Sequence, residues 1–150
     1  MILPHPEAKL AGCIWLPRLA AKIRVHLAGG LPRSYRVAFG SRVGVDGYFL
    51  RHFQLSMAQV IAAVRGAPDD EALAAWFLKQ PGATAEAIAN WNAQAVKLGA
   101  VGQPAYWTLC VVKWFFYPKS RFWPIESIFE AIAEDEDLPR PNWRPERSRN

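Results

Sequence analysis

The chain has 150 residues, 51% of them hydrophobic and 21% charged, with a formal net charge of +5. That length suits one ordinary domain, able to bury roughly two thirds of the surface its unfolded form exposes without a disulfide or metal staple. The composition excludes a disordered polyelectrolyte and a collagen-like or low-complexity chain.

In chain order, Pro17 stands where a first-turn proline is tolerated. Leu16, Leu19, Ala20, Ile23 and Leu27 follow at spacings of three and four, which predicts an amphipathic helix ended by Gly29-Gly30. Arg33, Arg36 and Arg42 punctuate a Gly-, Ser- and Pro-containing stretch that reads as a long connection up to Gly44. Asp46 is expected to cap a short helix carrying Tyr48, Phe49, Leu50 and Phe53. Ser56 and Gln59 form a capping box for a helix with Met57, Val60, Ile61 and Val64 on its apolar face, stopped by Gly66. Pro68-Asp69-Asp70-Glu71 opens the next helix with acids in its first turn, as the helix dipole favours. That helix should bury Leu73, Trp76 and Phe77. Thr84 caps another, with Ile88, Trp91, Ala95 and Leu98 in one stripe until Gly99.

The segment Ala105 to Tyr117 is ambiguous, because its aromatics and Val111-Val112 also suit a strand. Its length without turn signals and the lack of a partner strand favour a helix. Ile125, Ile128, Phe129 and Ile132 mark a last helix. After Leu138 three prolines and several arginines read as an extended tail. The expected architecture is all-α: one compact domain over residues 1–138, with six to seven short helices, and a basic Pro-rich tail over 139–150. Seven Trp and eight Phe are expected mainly as core.

The order of these residues resembles a known family. Leu16-Pro17-Arg18, Lys22, Leu27-Ala28-Gly29, Leu31-Pro32 and Tyr35, then Gly44-Val45-Asp46 with Phe49-Leu50 and Phe53, are similar to the bacterial family called domain of unknown function 5069. Ala75-Trp76-Phe77-Leu78, Ile88, Trp91-Asn92, Leu98-Gly99 and Gly102-Gln103-Pro104 resemble a proteobacterial branch of it. The resemblance covers about residues 10 to 137. It implies a small helical bacterial protein and carries over no activity.

Charge is distributed unevenly. Residues 1–65 carry nine Lys or Arg against Glu7 and Asp46, whereas residues 66–139 carry five against ten acids. A basic surface for a polyanion and an internal attraction between the two halves both fit this asymmetry. Arg18, Lys22 and His26 lie four apart on one flank of the first helix, and such a row could hold a phosphate or carboxylate. Arg33 and Arg36 would extend it if the connection folds back. The plainer reading is a solvated or internally paired flank. Glu126, Glu130 and Glu134 recur at the same spacing toward the C-terminus of the last helix and call for cations of the same molecule or of a twin. Trp91 and Asn92 read either as a lock on a loop backbone or as a pocket in which Trp91 stacks on a ligand and Asn92 fixes its polar edge.

Metal and catalytic signatures are missing. His5, His26 and His52 fall in no ligand spacing, and no nucleophile elbow, phosphate loop or dinucleotide glycine pattern occurs. No metal and no cofactor is expected. Cys13 near Arg18 and Lys22 could have a lowered thiol pKa, although a buried, idle cysteine is the simpler reading. Two distant cysteines, the absence of a basic-then-apolar leader and a longest apolar run too short for a bilayer point to a soluble cytoplasmic protein without a membrane association. The leading expectation is a small non-enzymatic binding or interaction module with a protein partner or a homodimer. One alternative is a nucleic-acid, nucleotide or anion binder using the basic first helix. The other is an enzyme or accessory subunit with an unfamiliar site.

Overall fold

The structure, a computed structural model, describes residues 1–115 and 125–139. It is mostly helical. A two-stranded hairpin, β1 (Lys9–Leu10) and β2 (Cys13–Ile14), precedes α1 (Leu16–Leu27), α2 (Arg33–Ala38), α3 (Val45–His52), α4 (Met57–Gly66), α5 (Asp70–Leu78), α6 (Ala85–Ala95), α7 (Tyr106–Phe115) and α8 (Ile128–Asp135). These form two compact units, Met1–Ala93 and a second beginning at Gln94. Residues 140–150 of the expected tail, and Phe116 and Tyr117 of the expected helix from Ala105 to Tyr117, lie outside the described residues. None of the described helices is long and apolar enough to cross a membrane.

In the first unit the hairpin pairs Lys9 with Ile14 and Leu10 with Cys13 across a two-residue turn. Both turn residues have positive φ, 53° at Ala11 and 72° at Gly12, as a turn matching the strands' right-handed twist requires. α1 closes on Gly29, φ 76°, in a Schellman motif: Gly29 N donates to His26 O and Gly30 N to Val25 O. The connection that follows is not structureless. Pro32 starts α2, a six-residue helix with no buried residue, so the described residues contain eight helices rather than six or seven.

Asp46 does not cap α3. Gly44 is the N-cap, and Asp46 sits inside the first turn with its carboxylate turned inward. The next caps follow the sequence pattern. Gln59 N donates to Ser56 Oγ and Ser56 N to Gln59 Oε1, completing the capping box of α4. Asp69 Oδ1 accepts from Ala72 N at the start of α5, and Thr84 Oγ1 from Ala87 N at the start of α6. α1 packs on α4, and α4 on α5. Phe49, Phe53, Phe77 and Trp91 meet edge-on or offset in the interior, with ring centroids 4.9 to 6.1 Å apart. Burying each such ring contributes roughly 1.5–3 kcal/mol. Trp76, expected in this core, is only half-buried.

α6 stops at Ala95, earlier than its apolar stripe suggested, and turns carry the chain through Gly99 to α7. In the second unit Leu98, Gly99, Leu109 and Ile128 pack together, and Ile128 N donates to Leu98 O at 2.8 Å. α8 begins at Ile128, so Glu126 precedes the helix and the expected acidic row does not run along one helix. Glu130 is instead a buried first-turn residue. Its N donates to Ser127 Oγ, and its Oε2 accepts from Glu126 N at 2.8 Å. α8 ends in a second Schellman closure, with Asp137 at φ 53° in the place usually held by glycine and Leu138 N donating to Ala133 O.

Gly47 is fixed by close approach. A Cβ on Gly47 would collide with Ser41 O and lie 2.5 Å from Arg42 Cα, because the chain before α3 crosses directly over it. Gly66, the last residue of α4, has nothing within 4 Å of that position. Gly47→Ala is expected to destabilise the protein by about 1–3 kcal/mol through overpacking. Gly66→Ala is expected to be neutral or to stabilise by up to about 1 kcal/mol. Urea unfolding of the two variants checks the contrast.

Candidate functional site

Two places on the molecule collect unusual chemistry, one closed and one open. The closed one forms where the hairpin hands the chain to α1. Trp15, the N-cap of α1, has φ 72° and ψ −30°, so three non-extended positive-φ residues fall within five positions, Ala11, Gly12 and Trp15. A bulky residue in that region is strained, and surrounding contacts must hold it. Its buried indole Nε1 donates to Asp46 Oδ1 at 2.8 Å. The same oxygen accepts from Lys22 Nζ at 2.6 Å, and Oδ2 accepts from Gly40 N at 3.0 Å. Lys22 Nζ also lies 4.8 Å from the centre of the Trp15 ring, and the Arg18 guanidinium carbon 5.6 Å from it. Both distances suit a cation held against an aromatic face.

A clamp from α6 grips the same hairpin. Asn92 Oδ1 accepts from Ile14 N at 3.0 Å while its Nδ2 donates to Gly12 O at 2.8 Å, so the amide reads the backbone as donor and acceptor together. Trp91 Nε1 donates to Ile14 O at 3.0 Å, and its ring lies against Phe49, His52 and Phe53. His52 Nε2 makes a 2.7 Å hydrogen bond with Ala87 O.

The proposed cationic row is thus divided. Arg18 and Lys22 are buried, Arg18 Nη1 donating to Pro4 O at 2.9 Å and Lys22 bonding Asp46. His26 is exposed and its ring packs on Phe39, 4.8 Å between centroids. That contact brings the connection after α2 back to the end of α1, with Arg33 and Arg36 exposed on α2. Arg24, between the buried pair and His26, forms an exposed ion pair with Asp70 at 2.6 Å. Cys13 is fully buried, and burial pushes its thiol up to about 12, opposite to the lowering its cationic neighbours suggested. Among the described residues no group of three or more His, Cys, Asp or Glu could hold a metal ion.

Chemically, the closed cluster fixes one backbone conformation. Its donors converge on a carboxylate of the same chain, and every group named bonds protein. Asp46 and Trp15 were missed as its centre. A signal for them exists: Trp15, Arg18, Leu19 and Lys22 share one face at spacings of three and four, so these cations border the core. That half has only two acids, Glu7 and Asp46, and Asp46 is the one bonded to Lys22.

The open feature is on α7. Trp107 is 78% exposed, Val111 54%, Trp114 65% and Phe115 76%, whereas Leu109 on the opposite side is buried. At 3.6 residues per turn these four side chains fall within a roughly 100° arc. The aromatic count therefore does not translate wholly into core.

The closed cluster makes a measurable distinction between two aspartates. Asp46→Asn removes the carboxylate 2.6 Å from the buried Lys22 ammonium and the charge that the Trp15 indole bonds, and is expected to cost about 3–5 kcal/mol. Asp70→Asn breaks the exposed pair with Arg24 and should change stability by less than about 1 kcal/mol. Chemical denaturation of both variants measures the difference.

No curated protein matches the chain. The family model described as a domain of unknown function, DUF5069, matches residues 3–137, a span that includes the hairpin, the Trp15 cluster, the Asn92 clamp and α7. The chain belongs to the DUF5069 family.

Proposed function

We propose that this protein is a small non-enzymatic interaction module, acting in the bacterial cytoplasm, whose docking element is the exposed face of α7. The intended occupant is an apolar helix of another protein molecule. The observation that carries this reading is the row of Trp107, Val111, Trp114 and Phe115, all more than half exposed. Contiguous apolar patches of a few hundred Å² on soluble proteins mark interaction sites, and Trp and Phe are enriched at interface centres. The two cysteines are unbridged, in keeping with a reducing compartment.

The alternative of a phosphate or nucleic-acid binder keeps His26, Arg33 and Arg36 as exposed groups but gives up Arg18 and Lys22 to internal contacts. An enzymatic reading has less support still. Of the groups it would enlist, Cys13 is sealed from solvent with a protonated thiol.

Photo-crosslinking in living cells tests the module. A benzophenone amino acid at Val111 should give discrete adducts that disappear when Trp107 and Trp114 are both changed to Ser. The same probe at the exposed Glu71 of α5 should give none of those bands. Equal adducts from both positions, or none from Val111, would overturn the proposal.

A further inference from the structure

We infer that Arg33, Arg36 and Arg42 form a surface of the first unit that binds the phosphodiester backbone of a nucleic acid. This surface goes beyond the α7 reading and stands independently of it. Between Glu7 and Asp69 the chain carries nine Lys or Arg and a single acid, Asp46. Both oxygens of that acid are taken inside the molecule, by Trp15, Lys22 and Gly40. The cations of this stretch that reach solvent therefore have no free acid on their own segment. Arg18 and Lys22 are buried, and Arg24 is paired with Asp70. Arg33, Arg36 and Arg42 are exposed, and among the described residues no ion pair or side-chain hydrogen bond engages any of the three.

Local folding brings them together. Arg33 and Arg36 stand three apart on α2 and so share a face. Ser41 N donates to Ala38 O at 3.2 Å and Gly44 N to Ser41 O at 3.1 Å, which wraps the chain back on the end of α2 and keeps Arg42 beside it. The segment is held in place by neighbours: Gly40 N bonds Asp46, a Cβ on Gly40 would lie 3.5 Å from Met57 Cγ, and Phe39 packs on the His26 ring. That contact sets an exposed imidazole at the edge of the surface. α2 buries none of its residues, so its guanidinium groups do not serve the core.

The choice of cation points to phosphate. All three groups are arginine, whose planar fork donates two parallel N–H bonds to a phosphate, whereas a surface needing only positive charge is served equally by lysine. An anionic membrane would also require apolar anchors such as Trp or Phe. The rings of this segment, Tyr35 and Phe39, are half-buried instead. Val37 and Val43, 63% and 59% exposed, give the surface apolar ground for the sugars between phosphates. Backbone contacts of this kind position a nucleic acid and carry no sequence information.

Fluorescence anisotropy with the full chain and labelled probes of about 20 nucleotides, between about 50 and 200 mM salt, tests the surface. The tail carries Arg140, Arg144, Arg147 and Arg149, so dependence on the three arginines decides, and not binding as such. The chain with Arg33→Gln, Arg36→Gln and Arg42→Gln together should lose at least about tenfold in affinity at the lower salt. Its slope of log K against log salt should be shallower than the parent's by about 2 on a single strand and about 2.7 on a duplex. Arg42→Gln alone should account for roughly a third of that change. Arg65→Gln removes the same charge at the other end of α4, about 12 Å along the helix from Met57, and should leave affinity unchanged within about twofold. Circular dichroism of every variant should match the parent, since all four positions are exposed. Binding of RNA or of DNA supports the proposal, and the tighter of the two names the source of the phosphodiester. No binding at the lower salt, equal affinity and slope for parent and triple variant, or an equal loss from Arg65→Gln overturns it. Polyglutamate that displaces the probe as well as an unlabelled oligonucleotide of equal charge overturns it too, as does capture by phosphatidylglycerol vesicles in place of the probes.

Discussion

The carboxylate of Asp46 is the constraint on which the first unit depends. It takes the indole N–H of Trp15 and the ammonium of Lys22 on one oxygen and the backbone N–H of Gly40 on the other. The entry to α1, the body of α1 and the turn before α3 are thereby tied at one buried point. A buried ion pair is poor evidence of net stability, because desolvation offsets the attraction. Its worth here is specificity. The pair fixes the register of α3 against α1 and holds Trp15 at a positive φ that its side chain disfavours. The chain then leaves the hairpin in the direction that Asn92 and Trp91 can clamp.

Sequence reasoning read the elements whose signals are local. The Ser56–Gln59 box, the Thr84 cap and the Gly29-Gly30 closure each need only a few neighbouring residues, and each is present as expected. The hairpin was missed because its turn is Ala11-Gly12. Asn-Gly or Asp-Gly would have announced it. α2 was missed because six exposed residues in a stretch containing Gly, Ser and Pro show no apolar period. Glu126 was placed inside a helix on spacing alone, although Ser127, the residue after it, is the natural N-cap.

The candidate site was legible by residue type but not by role. Arg18 and Lys22 stood out because they recur at four-residue spacing, yet the same spacing places them beside Leu19 and Ile23 on the inward face. Which cations turn outward is settled by where an acid lies in three dimensions, and Asp46 is 24 residues from Lys22. The aromatics posed the converse problem. Trp91 and Trp107 look alike in composition, but one donates to Ile14 O within the core and the other is 78% exposed on α7. Helical periodicity finds an apolar face; it does not say whether the same molecule covers it. The DUF5069 match shows the family to which the chain belongs.

Indole hydrogen exchange followed by NMR tests the division between the internally satisfied cluster and the open helix face most directly, because Trp15 and Trp107 report on its two sides in one sample. The account predicts that the Trp15 Nε1 proton, buried and bonded to Asp46, exchanges as slowly as the most protected amides of α1, through global unfolding. The Trp107 indole proton, on a side chain 78% exposed, should exchange at the rate of exposed indoles. A Trp15 proton that exchanges as fast as that of Trp107 would contradict the account.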